Sequence, residues 1–93
     1  IKMYTIRISE DAENSLKKLH IENKRKIIKE LKLLKENPEI GKKLTSELTG
    51  LRSLHIAKYR AVYRIDLNNL AILVYGIGHR KDIYDKIKFI NKK

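Results

Sequence analysis

Apolar and polar residues alternate at the start of the chain, where Tyr4, Ile6 and Ile8 interleave with Thr5 and Arg7 at the two-residue period of a half-buried strand. Ser9 ends that pattern and opens another. It precedes Glu10, Asp11 and Glu13, which suit the positive end of a helix dipole, and an apolar stripe of Ala12, Leu16 and Leu19 predicts a helix from Glu10 to Leu19. A second helix is expected from Glu22 or Asn23, with Ile27, Ile28, Leu31 and Leu34 on one side and Lys24, Lys26, Lys29, Lys32 and Lys35 over the rest. Asn37-Pro38 stops it, because the proline ring disfavours helix in the residue before it. The short joint between these helices predicts an antiparallel hairpin.

Residues 38–50 read as a connector holding Gly41 and Gly50, with one short turn at Leu44 and Leu48. Beyond it the period becomes that of strands. Leu51–Ile56, Tyr59–Asp66 and Leu70–Ile77 are separated by Ala57-Lys58 and Asn68-Asn69, and Gly78 is expected to break the last of them. Asp82 then stands before a terminal helix with Ile83, Tyr84, Ile87 and Ile90 as its apolar positions. These elements predict a single α+β domain over residues 1–93, of order β-α-α-β-β-β-α. Its core is an antiparallel sheet of about four strands, with the N-terminal helix hairpin on one face and a short C-terminal helix.

Charge narrows the choice of partner. The 93 residues carry 22 Lys and Arg against 11 Asp and Glu, a net charge of +11, which favours a polyanion. The excess is concentrated after residue 50, where 10 basic residues face 3 acidic ones. Cysteine is absent, which excludes disulfides, thiolate metal sites and Cys nucleophiles and suits a reducing cytoplasm. No apolar run reaches the roughly 18 residues needed to span a membrane. Ile1-Lys2-Met3-Tyr4 does not begin a secretory signal, and Met3 is a candidate initiating residue.

Strand alternation places Arg60, Val62 and Arg64 on a face that is expected to stay open, with His55 beside them. Leu54 and Ile56 turn toward the helices. Four of the six arginines, Arg52, Arg60, Arg64 and Arg80, fall between residues 52 and 80, and planar guanidinium groups hold phosphate well. An open polar face on an antiparallel sheet also needs no ligand at all. Gly76-Ile77-Gly78-His79-Arg80 follows neither of the glycine-rich nucleotide fingerprints, and His20, His55 and His79 lack metal-ligand spacing, so neither cofactor nor metal is expected.

The segment from Gly50 to Tyr63, with Gly50-Leu51 and Tyr59-Arg60-Ala61-Val62-Tyr63, resembles the central signature of the RelE/ParE toxin superfamily. Gly78-His79-Arg80-Lys81-Asp82-Ile83-Tyr84 is similar to the closing G-H-R-x-x-x-Y of its RelE branch. The resemblance implies the toxin of a type II toxin-antitoxin system that acts in the cytoplasm, enters the ribosomal A site and cuts mRNA there. It implies an acidic RelB-like antitoxin, and the ribosome and mRNA, as partners. It implies no membrane association, no metal and no small-molecule cofactor.

By the same resemblance Arg60 and Arg80 clamp the scissile phosphate, with Arg80 also placed to protonate the leaving oxygen, and Tyr84 stacks on or orients a base. Arg52, Ser53, Lys58, Arg64, His79 and Lys81 complete the expected RNA surface. One departure stands out. Where the family carries two cations in an R-x-R or K-x-K strand, this chain has Ser53 and His55. An imidazole can serve as general base near neutral pH, and both His55 and His79 are candidates. Two other readings remain: a ParE-like gyrase inhibitor that cuts nothing, and a non-catalytic RNA-binding module.

Overall fold

Strand β1 (Thr5–Ile8) leads directly into α1 (Glu10–Lys17) and α2 (Ile21–Leu33). The computed structural model describes residues 3–91, so Ile1 and Lys2 before the candidate start, and Lys92 and Lys93, lie outside the described residues. Ser9 caps α1 by accepting the Ala12 N–H at 3.1 Å, and its hydroxyl donates to the Tyr75 carbonyl at 3.0 Å. One side chain thus starts the helix and pins it to a distant strand. His20 caps α2 through Nδ1, which accepts the Glu22 N–H at 3.4 Å. Ile27, Leu31 and Leu34 are buried, whereas Ile28, expected beside them, is exposed because it falls on the outer side of the helix turn.

The connector holds two short 3-10 turns, Pro38–Ile40 and Ser46–Leu48, and between them β2 (Lys42–Lys43). The strands β3 (Arg52–Ile56), β4 (Tyr59–Asp66) and β5 (Ala71–His79) follow, and α3 (Ile83–Asn91) closes the described chain. The sheet has five strands in the order β1-β5-β4-β3-β2, one more than expected. Two lysines are too short and too polar to announce a strand, yet β2 pairs with β3 through Lys42↔Ser53 and Lys43↔Arg52. The sheet is also mixed, because β1 runs parallel to β5 with Thr5 opposite Ala71 and Ile8 opposite Val74.

Both faces of the sheet are covered. On one, Ala12, Leu16, Ile27, Leu31 and Leu34 of the helix hairpin pack on Leu54, Ile56, Ala61, Tyr63, Ile72, Val74 and Ile77. On the other, Val62 lies under Ile83 and Ile87 of α3, flanked by Leu48 and Leu51. The expectation that the face of Arg60, Val62 and Arg64 stays open is therefore corrected: Val62 is 0% exposed. Full burial of a side chain such as Ile83 or Ile87 stabilises by about 1.5–3 kcal/mol, which holds the short α3 in place.

Glycine makes that docking close. A Cβ at Gly76 would stand 2.5 Å from Ile87 Cδ1, and one at Gly78 would stand 3.3 Å from Ile83 Cδ1. Gly78 therefore does not end β5, which runs on to His79 beneath the helix. The register shift between Val62 and Tyr63, where Val62 pairs with Gly76 but Tyr63 with Val74, leaves Tyr75 as the extra residue.

Tyr63 anchors the connector from inside. Its buried hydroxyl donates to the Pro38 carbonyl at 2.6 Å and accepts the Gly41 N–H at 2.9 Å, and burial raises its pKa above the ordinary phenol value. A Cβ at Gly41 would sit 2.7 Å from Cε1 of the same ring, so only glycine lets the backbone approach this closely.

Candidate functional site

The antiparallel pairing of β3 with β4 sets His55 directly opposite Arg60 on the face that carries α3. The next pair along that face is Ser53 with Val62. Tyr84, in the first turn of α3, reaches down to Ser53, their hydroxyls 2.9 Å apart. Between α3 and the connector lies a groove of about 390 Å³, lined by Lys42, Leu44, Thr45, Ser46, Leu48, His55, Tyr84 and Lys88. Its lining carries two lysines, an imidazole and a phenol, with no carboxylate. The two ion pairs among the described residues lie outside the groove: Lys17–Glu13 within α1, and Lys86–Asp11 between α3 and α1.

His55 itself is exposed, and its pKa is lowered from the usual histidine value, first by partial burial and then by the charges of Arg60 and Lys42. The imidazole is thus held neutral around physiological pH, the form that accepts a proton. Arg60 folds back over the β3–β4 turn, where its guanidinium donates to the Ala57 carbonyl at 2.9 Å and the Tyr59 carbonyl at 2.7 Å. That turn needs a brace, because Ala57 adopts a positive φ of 53°. Arg80 lies at the same end of the sheet. Its N–H donates to the Lys58 carbonyl at 2.8 Å, which fixes the backbone while the side chain stays exposed.

The remaining expected residues are dispersed. Ser53 is only 1% exposed and its hydroxyl is engaged with Tyr84, so burial keeps it from touching a strand in the groove. The Arg52 guanidinium donates to the Glu39 and Gly41 carbonyls at 3.1 and 2.9 Å, tying the connector to β3. Arg64 shares the Arg60 face and donates through Nε to the Tyr75 hydroxyl at 3.0 Å. Lys58 lies 5.8 Å over the Tyr59 ring. His79 pairs with Tyr59 and belongs to the helix-hairpin face, away from His55, with Nδ1 accepting the Lys81 N–H at 3.1 Å. Two groove cations were missed from the sequence. Lys88 is four residues after Tyr84, a helical spacing that would have revealed it. Lys42 carries no such sign.

The family model described as ParE toxin of the type II toxin-antitoxin system parDE matches residues 6–84. The chain belongs to the RelE/ParE toxin family. Within that family it is 31% identical over 90 residues to a protein of Methanocaldococcus jannaschii designated toxin RelE4, covering 92% of this chain and 96% of that one. It is 32% identical over 83 residues to toxin RelG of Mycobacterium tuberculosis, covering 87% and 95%. A crystal structure of the toxin-antitoxin complex RelBE2 from the same bacterium superposes with a TM-score of 0.80 at 30% identity, over 88% of this chain and 97% of that one. This RelE/ParE chain is a type II toxin. Among the described residues of the toxin, no helix is long and apolar enough to cross a membrane.

Proposed function

We propose that this RelE/ParE toxin is an endoribonuclease that cuts mRNA in the ribosomal A site and so arrests translation in the cytoplasm. The observation that carries the reading is the His55–Arg60 pair at the mouth of a basic groove, a neutral base beside a fixed guanidinium. The reaction needs little more. His55 takes the proton of a 2′-hydroxyl, the freed oxygen attacks the adjacent phosphorus, and the bond from phosphorus to the 5′ oxygen breaks. The products are a 2′,3′-cyclic phosphate and a 5′-hydroxyl. Arg60 and Arg80 offset charge as it builds on the phosphorane, and the departing oxygen takes its proton from Arg80, which solvent then restores. Tyr84, its ring oriented by Ser53, offers a stacking surface for a base, and Lys42 and Lys88 draw the backbone in.

These steps invoke neither a metal nor an organic cofactor. His55 is the base in this reading and not His79, because His79 lies on the other face and is turned toward Tyr59 and Lys81. The partner that restrains the toxin is an acidic RelB-like antitoxin. The complex of the 30%-identical relative and the +11 charge support it.

A translating extract programmed with a defined message tests the reading. Translation should stop, and 5′-hydroxyl ends should appear at codons occupying the A site. A second reading, gyrase inhibition, is favoured by the ParE description of the matching family model and by the missing strand cations at Ser53 and His55. Intact message together with blocked DNA supercoiling would establish it in place of the first. Bound but uncut message, with supercoiling untouched, would leave only an RNA-binding module.

A further inference from the structure

A second pocket, of about 470 Å³, lies on the other side of the same sheet end. It is lined by Ser15, Lys18 and Leu19 of the α1 region, Tyr59 of β4, Ile77, Gly78 and His79 of β5, and Asp82, Ile83 and Lys86 at the start of α3. It exists because β1 is short: the pairing of β1 with β5 ends at Val74, and the last residues of β5, paired with β4 on one edge, run on without a strand on the other. Lys86 bridges the gap from α3 to α1, with Nζ 3.1 Å from Asp11 and 3.0 Å from the Ser15 hydroxyl. That bridge blocks an added strand along the edge. What remains is an open depression of the size that takes one small ligand or one nucleotide.

We propose that this pocket is a second nucleotide subsite, holding a base and phosphate of the RNA strand whose cleavage is assigned to the His55 groove. The proposal rests on that reading and extends it. Tyr59 and His79 meet edge to face with ring centroids 6.3 Å apart, and Tyr59 is fixed by the Asn23 amide donating to its hydroxyl at 3.3 Å. A held aromatic wall of this kind stacks a base without selecting its identity. His79 spends only Nδ1, on the Lys81 N–H, which leaves the other ring nitrogen free to donate. The side chain of Lys18 has no partner among the described residues, so its charge is available to a phosphate. The Asp82 carboxylate can accept from an exocyclic amine. Lys58, Arg80 and Lys81, all exposed, make a basic rim between the two sites, and the Arg80 N–H bond to Lys58 holds that rim together.

The test uses fully 2′-O-methylated RNA, which cannot be cut because the attacking hydroxyl is blocked, in lengths of about three and about seven nucleotides. The wild-type toxin should bind the longer strand about tenfold more tightly, the order of one stacked base. Lys18→Glu, a surface change, should lower affinity for the longer strand about fivefold and for the shorter one by less than about twofold. Tyr59→Leu, checked for a normal melt, should do the same. A longer strand carrying 4-thiouridine should crosslink at Tyr59 or His79. Equal affinities for the two lengths, equal losses in Lys18→Glu, or crosslinks confined to the His55 groove would overturn the subsite. Message cleavage in the translating extract, measured alongside, separates the two claims: cleavage with length-independent binding removes the subsite alone, whereas no cleavage and no binding removes both. Competition by an acidic peptide at this pocket, with RNA binding unaffected, would assign it to a protein partner and overturn the proposal.

Discussion

Replacing Tyr63 by Phe removes one oxygen atom and strands two backbone groups. The Gly41 N–H, now donating to that oxygen at 2.9 Å in a buried position, would lose its partner, because the glycine is packed against the ring and water cannot enter. An unsatisfied buried donor of this kind costs about 1–3 kcal/mol. The Pro38 carbonyl, which accepts at 2.6 Å, is partly exposed, so water can replace the lost donor and the net cost there is about 0.5–1.5 kcal/mol. The two losses together predict a destabilisation of about 2–4 kcal/mol, and for a domain of this size each kcal/mol lowers the melting temperature by about 4–8 °C. Urea unfolding of wild type and Tyr63→Phe, followed by circular dichroism, measures it as a lower midpoint at unchanged slope. A change under about 0.5 kcal/mol, the range of ordinary surface substitutions, would refute the assignment of Tyr63 as the anchor of the connector. The anchor matters for the site because β2 and the groove wall from Leu44 to Leu48 hang from it.

Three further outcomes follow from the geometry. Single-turnover cleavage should rise with pH through a step lying below the ordinary histidine value, because burial, then Arg60 and Lys42, lower the His55 pKa and only the neutral ring accepts a proton. In His55→Ala that step should vanish with about 100- to 10,000-fold of the rate, whereas a profile unchanged in His55→Ala but lost in His79→Ala would exchange their roles. Arg80→Ala should keep the wild-type melt within about 0.5 kcal/mol, since its backbone bond to Lys58 survives, and lose about 100- to 1,000-fold in cleavage; growth arrest that persists at matched expression contradicts this. Gly76→Val should cost about 1–3 kcal/mol by pressing on Ile87 and should loosen α3, which a normal melt with unimpaired cleavage would disprove.

The elements governed by local periodicity were legible in the sequence. Ser9 with its three acidic followers marked α1, and the alternation from Arg52 to Ile77 marked the meander and set His55 on the face of Arg60. What stayed hidden depends on contacts between distant residues. The parallel pairing of β1 with β5 leaves no trace within either strand. Val62, flanked by two arginines, looked like part of a solvated face, although it is the floor beneath α3. The signal that could have corrected this was Gly76-Ile77-Gly78, two missing side chains on one strand face opposite a helix with Ile83 and Ile87 at helical spacing. The role of Ser53 was hidden for the same reason, because its partner Tyr84 is 31 positions away.

The parallel pairing of β1 also governs when the toxin comes into existence. Ser9, just after β1, is tied to Tyr75, 66 positions further on. At about 5–20 residues per second of synthesis, the first strand waits roughly 3–13 seconds for its neighbour to be made. During that interval the helix hairpin has no sheet to cover Ala12, Leu16, Ile27 and Leu31, which makes it the first sticky surface that a nascent chain presents. The groove comes later still, since it needs β3 and α3 as well as the connector. Synthesis that stops before α3 therefore yields a chain with neither the Tyr84 wall nor a closed second core, so the groove is complete only once α3 has been made.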